Sequence, residues 1–162
     1  MDALIRIDEC GSPGDLARVR RLFEEYQASL GISLEFQGFA EELASLPGAY
    51  APPRGALLIA MQDETPAGCI ALRPLAGGDA EIKRLYVRPT WRGTGLGARL
   101  VAAVSERARA AGYHALRLDT LASMEAAMRL YARLGFVETV PYHQATQPGM
   151  RFFRMPLEPP RA

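Results

Sequence analysis

The stretch Glu81-Ile82-Lys83-Arg84-Leu85-Tyr86-Val87-Arg88-Pro89-Thr90-Trp91-Arg92-Gly93-Thr94-Gly95-Leu96-Gly97 decides how the chain is read. Its first half is an apolar strand pattern over Ala80 to Val87, and its second half is a glycine-rich turn that opens a helix pattern from Leu96 to Ala111. Glycines let the backbone approach a ligand with no Cβ in the way, and the first turn of a helix leaves N–H groups without intrahelical partners. With the positive end of the helix dipole behind them, those donors suit a phosphate or diphosphate.

Three kinds of phosphate site use such a turn. A Walker-type loop ends in Gly-Lys-Ser/Thr, whereas Gly97 is followed by Ala98, Arg99 and Leu100, with no lysine for a terminal phosphate. Gly93, Gly95 and Ala98 formally satisfy the dinucleotide pattern G-x-G-x-x-A, with Asp119 near the acidic position it asks for. Against that pattern, Arg88 to Arg92 separate the strand from the first glycine, and too little chain follows Asp119 for the rest of a doubly wound sheet.

The third kind covers most of the chain. Arg92, Gly95 and Gly97 meet Gln/Arg-x-x-Gly-x-Gly/Ala, and Leu130-Tyr131-Ala132-Arg133-Leu134-Gly135-Phe136 follows after a strand pattern at Ala115 to Leu121. In this order the two motifs resemble the acetyl-CoA-binding core and the later helix-to-strand element of the GCN5-related N-acetyltransferases (GNAT superfamily). The resemblance implies a mixed α/β fold, with a twisted, mostly antiparallel sheet of about seven strands flanked by four helices. It implies one such domain over residues 1–162, an N-acetyltransferase that uses acetyl-CoA and releases CoA. Leu85, Tyr86 and Val87 would lie along the pantetheine arm, and Arg92, Gly93, Thr94, Gly95, Leu96, Gly97 and Ala98 around the diphosphate.

Composition fits one enzyme domain. The chain has 162 residues, 49% of them hydrophobic, enough for one continuous core. A net charge of +1 with interspersed acids and bases gives no basic stripe, which argues against a nucleic-acid partner. Cys10 and Cys69 lack the spacing and histidine neighbours of a metal site, so neither a metal nor a disulfide is expected. The N-terminus carries charges where a signal peptide is apolar, and no apolar run is long enough for a membrane span, so the expected location is the cytoplasm. The resemblance is also compatible with a homodimer.

Periodicity predicts strands at Ala3 to Asp8, Ala56 to Gln62, Ala67 to Arg73 and Ala80 to Val87, the last three as an antiparallel meander. It predicts helices over Asp15 to Leu30, Phe36 to Leu46 and Leu96 to Ala111, and one with Ser123 as N-cap that ends at Gly135. Phe136 to Val140 and Met150 to Leu157 are expected to pair as a closing hairpin.

Acyl transfer to an amine needs a neutral amine, a stabilised oxyanion and a proton for the departing thiolate. Glu81 precedes Arg92 by eleven positions, where the resemblance implies a basic glutamate. An alkyl amine near pKa ~10.4 and a carboxylate near ~4.3 are far apart, so burial or a water relay is required. The other reading of Glu81 is a solvated strand residue paired with Lys83 or Arg84. Tyr131 is implied as the acid that protonates the sulfur; the alternative is core packing in the stripe Ala127, Leu130, Tyr131, Leu134. The oxyanion donor is implied to be a main-chain N–H near Tyr86 or Val87. Met124 stands where many relatives carry an asparagine seven residues before the tyrosine, so that amide contact is lost.

The acceptor pocket is implied to lie between the first two helices and the last hairpin. Glu35, Phe36, Tyr142 and His143 fall there, an aromatic wall with a carboxylate that would suit a cationic amine, and Phe36, Tyr142 and His143 are the candidate substrate contacts. Ordinary hairpin roles for Tyr142 and His143 stay open, and His114 reads as structural. The acceptor class is a small metabolite or a protein lysine or N-terminus. A non-catalytic acyl-CoA sensor is the alternative function, although such a module needs neither Glu81 nor Tyr131.

Overall fold

Each long strand alternates between two buried faces, and that alternation builds a sheet covered on both sides. The computed structural model describes residues 4–144 and 147–159. Among the described residues the strands are β1 (Ile5–Glu9), β2 (Ala56–Gln62), β3 (Thr65–Pro74), β4 (Ala80–Val87), β5 (Ala115–Thr120), β6 (Val137–Thr139) and β7 (Arg151–Pro156). They form one sheet in the order β1-β2-β3-β4-β5-β7-β6. The helices are α1 (Pro13–Leu30), α2 (Phe39–Ser45), α3 (Leu96–Ala110) and α4 (Glu125–Arg133). Leu58, Ile70, Leu72 and Ile82 join Leu100, Val104 and Tyr131 in the core under α3 and α4. Leu57, Ile59, Cys69 and Ala71 point the other way and join Val19, Leu22, Phe23 and Phe39 under α1 and α2.

The first four strands are an antiparallel meander, as their pattern predicts. β4 then pairs with β5 in parallel, through Ala80 with Leu116 and Glu81 with Arg117. Past those two pairs the strands separate while both continue, β4 to Val87 and β5 to Thr120. A cleft therefore opens inside the sheet.

A bulge in β4 lies at the start of this parting. Cys69 faces Tyr86 and Ala71 faces Lys83, so β4 has one more residue than β3 between the same rungs. An extra residue bends a strand and increases its twist. Arg84 absorbs the geometry with φ of 59°, a left-handed conformation that costs a residue with a Cβ about 1–2 kcal/mol. Its guanidinium grips Glu42 of α2 with two bonds of 2.9 Å and Gln37 with a third of 2.7 Å, and it lies 5.2 Å from the centre of the Phe39 ring. A forked, charge-assisted contact of this kind holds its partners in one orientation.

Several boundaries differ from the sequence reading, each for a local reason. α1 starts earlier, because Ser12 caps it by accepting from the Asp15 N–H at 3.1 Å with Pro13 in its first turn. The helix predicted over Phe36 to Leu46 is instead a 3-10 turn at Glu35–Gln37 followed by α2, because Gly38 takes φ of 70° between them. α4 is capped by Met124 with no side-chain bond, so Ser123 is not its N-cap. β6 and β7 do pair, but β7 lies between β5 and β6. The first strand runs from Ile5 to Glu9, and Ala3 falls outside the described residues.

Arg84→Ala removes a cation with 3% side-chain exposure and strands Glu42 at 14%. The expected loss of unfolding free energy is about 3–5 kcal/mol by urea denaturation. Arg84→Gly should lose about 1 kcal/mol less than Arg84→Ala, because glycine adopts the positive φ without strain.

Candidate active site

The turn before α3 is built to present main-chain donors. Pro89–Trp91 forms a single 3-10 turn, closed by the Arg92 N–H donating to the Pro89 carbonyl at 3.2 Å. That bond occupies the Arg92 amide, so the donors left for a ligand run from Gly93 onward. Gly93 and Gly95 have φ of 76° and 85°, and a Cβ at either would meet nothing within 4 Å. Glycine is thus required there by conformation rather than by space. The Thr94 hydroxyl closes the turn on the Trp91 carbonyl at 2.5 Å, and the Arg92 side chain folds back onto the Val87 carbonyl at 3.0 Å. The first turn of α3 closes with Arg99 N–H on Gly95 O at 3.1 Å, which leaves the amides of Leu96, Gly97 and Ala98 at the open end of the helix. Gly97 has a second reason to be small, since a Cβ there would come within 3.1 Å of Leu130 in α4.

The chain enters this turn from the end of β4, and β4 is also one wall of the cleft that opens toward β5. Lys83 and Leu85 line one wall, Asp119 and Met124 the other, and Tyr26 and Tyr131 also border it. Tyr131 is 5% exposed, with its ring edge-on to Phe136 at 5.6 Å. Burial pushes its hydroxyl well above the usual phenol range, which keeps the proton on the oxygen. Tyr131 therefore packs in the core and borders the cleft at once. Lys83 is buried with its ammonium 3.6 Å from Asp119 Oδ1. Burial lowers its pKa below the usual lysine range, against the pull of Asp119 and Glu81. Met124, in place of the expected asparagine, accepts from the Thr120 hydroxyl at 3.5 Å.

On the α1 and α2 side of the sheet, the cleft adjoins a cluster of ionisable groups. Glu81 has 1% side-chain exposure; its Oε1 takes a 2.7 Å bond from Arg73 Nε, the residue directly opposite it on β3. Its bonded cation is Arg73 rather than Lys83 or Arg84, with Lys83 interacting with it only at longer range. Its Oε2 accepts from the Tyr142 hydroxyl. Asp119 Oδ2 lies 2.6 Å from His143 Nε2, and oxygen or nitrogen atoms of Glu81, Asp119 and His143 all fall within 4.8 Å of one another. The Tyr142 ring stands edge-on to His143 at 5.0 Å and to Phe152 at 5.4 Å, with the Arg117 guanidinium 5.6 Å away. Burial, with Glu81 and Asp119 beside it, pushes the Tyr142 hydroxyl far above the usual phenol range.

The structure thus brings Glu81, Tyr142 and His143 into one cluster. Phe36 has its backbone in the Glu35–Gln37 turn, and its side chain lies outside the described residues. The Glu35 carboxylate accepts from the Ala40 N–H at 3.1 Å, a cap for α2. His114 is structural, since its N–H donates to Gly78 at 3.0 Å and its carbonyl accepts from Leu157 at 2.8 Å. Cys10 and Cys69 are buried free thiols, Cys10 with its pKa pushed up to about 12 by burial. Sequence reasoning missed Lys83 and Asp119 as site residues. The available signal was charge at every second position of two buried strands, Glu81 and Lys83 on β4, Arg117 and Asp119 on β5.

Comparison with known proteins agrees with this geometry. The profile described as Acetyltransferase (GNAT) family matches residues 19–136. An uncharacterized N-acetyltransferase of Schizosaccharomyces pombe is 38% identical over 155 residues, which cover 94% of this chain and 95% of that protein. The structure of an acetyltransferase from Streptococcus agalactiae superposes with a TM-score of 0.80 at 24% identity, covering 94% of this chain and 98% of its own. An acetyltransferase structure from Salmonella typhimurium, determined with its cofactor acetyl-CoA, superposes with a TM-score of 0.71 at 19% identity over 98% of this chain and 96% of its own. The chain belongs to the GNAT family of N-acetyltransferases.

Tyr142→Phe removes the hydroxyl donor of an enclosed carboxylate and leaves the ring contacts in place. It should lower stability by about 1.5–3 kcal/mol, read from the urea midpoint.

Proposed function

We propose that this chain moves an acetyl group from acetyl-CoA to a primary amine, on a small metabolite or on a protein lysine or N-terminus, by direct attack of the amine on the thioester. The observation that carries this reading is that the glycine turn follows directly on β4, the strand whose parting from β5 opens the cleft. An anion held at the turn puts its attached arm on course for the cleft where Tyr131, Lys83 and Asp119 converge.

In this reading the amides from Gly93 to Ala98 bind the diphosphate, each charge-assisted bond contributing on the order of 1.5–3 kcal/mol. The pantetheine arm runs along Leu85, Tyr86 and Val87, and a main-chain N–H near Tyr86 or Val87 meets the oxygen that becomes negative. Glu81 accepts the proton of the acceptor ammonium. Tyr131, whose ring borders the cleft, protonates the departing sulfur. Tyr142 and His143 border the acceptor. No helix among the described residues is long and apolar enough to cross a membrane, and two buried free cysteines are compatible with a reducing compartment. We place the protein in the cytoplasm.

Calorimetry should show acetyl-CoA binding to the unaltered protein and none to Gly95→Val, with thiol release on an amine panel from the former. Binding without thiol release would mark a sensor instead. Glu81→Gln and Tyr131→Phe should each lower kcat by roughly a hundredfold with acetyl-CoA affinity kept. Unchanged kcat in either variant removes that residue from the mechanism.

A further inference from the structure

Acylation of an ammonium liberates one net proton. The nitrogen gives up two hydrogens in all, and its lone pair forms the C–N bond as the C–S bond breaks with its electron pair on sulfur. One of the two hydrogens ends on that sulfur, delivered through Tyr131, while the other must reach water from a site whose carboxylate, Glu81, is enclosed.

We propose that Asp119 and His143 carry this proton from the cleft to solvent, a role that rests on the N-acetyltransferase reading above. Side-chain exposure rises step by step along the path, from 1% at Glu81 to 9% at Asp119 and 36% at His143. The acid and base atoms of the three lie within 4.8 Å of one another, so no step is longer than a single bridging water spans. Asp119 divides its two oxygens, Oδ1 facing Lys83 at 3.6 Å and Oδ2 facing His143 Nε2 at 2.6 Å. It therefore joins the inner end of the cleft to the imidazole. Imidazole suits the outer position because it has two ring nitrogens, so a proton gained at one can be lost from the other. The ring is held in place, with Nδ1 2.9 Å from the Gln144 carbonyl and T-shaped contacts to Phe152 at 4.9 Å and Tyr142 at 5.0 Å.

The same three groups do not suit a metal ion. Arg73 on Glu81 and Lys83 on Asp119 already balance both carboxylates, and Arg117 over Tyr142 is itself paired with Asp79 at 2.7 Å. With both carboxylates already paired, little net negative charge is left to hold a metal cation.

The test compares His143→Ala and His143→Gln with the unaltered protein by thiol release on the amine panel. Glutamine can still donate an N–H to Asp119 but cannot carry a proton. Both variants should lose roughly ten- to a hundredfold in kcat at unchanged acetyl-CoA KM, and millimolar imidazole should restore rate to His143→Ala while leaving the unaltered protein unaffected. Full kcat in either variant, or a loss in His143→Ala that imidazole does not repair, overturns the relay and leaves the acetyltransferase reading standing. Absence of thiol release from the unaltered protein overturns that reading and the relay with it.

Discussion

The forked contact between Arg84 and Glu42, with Gln37 as its third arm, is the constraint on which the site depends. Arg84 sits in a left-handed conformation within a strand, a state that persists only where the surroundings over-determine it. The surroundings here are α2 and the 3-10 turn before it, which hold the guanidinium on the α1 and α2 side of the sheet. The extra residue in β4 turns that strand away from β5 after only two parallel rungs. Without the parting there would be no gap in the middle of the sheet.

Electrostatic pairing shapes what that gap can hold. Every strongly buried charge around it has an opposite partner: Glu81 with Arg73, Lys83 with Asp119, Arg84 with Glu42. Isolated charges would be too costly at such burial, whereas pairs spread over four elements also fix the elements relative to one another. Arg88 extends this to α1 through two bonds to Glu25, at 2.9 and 2.7 Å. The fixed charges of the cleft are thereby nearly balanced.

The division of labour between the two sheet faces follows from the same alternation that makes the core. Leu116 and Leu118 point toward α3 and α4 and pack; Arg117 and Asp119 point the other way and meet Tyr142, Lys83 and His143. A strand that is apolar on one face and ionisable on the other can close a core and line a reaction site at once. Tyr131 does the equivalent from α4, packing its ring on Phe136 while bordering the cleft.

Sequence alone determined what depends on near neighbours. The meander, the glycine turn, the helix it opens and the covered faces of β2 and β3 follow from alternation, helical spacing and the φ freedom of glycine, all of which act within a few residues. The Gly38 break was harder to read, since an isolated glycine inside an amphipathic pattern is tolerated in a helix at a cost of about 1 kcal/mol relative to alanine. Tertiary structure alone decided which charges meet. Arg73 is set against Glu81 by strand register, and Asp119 against His143 across 24 residues and an inserted helix. Arg84 reaches Glu42 over 42 residues, because a bulge reorients its side chain. Pairings of this kind arise from long-range geometry, and ionisable groups settle into them because burial without a partner costs more than any local preference can supply.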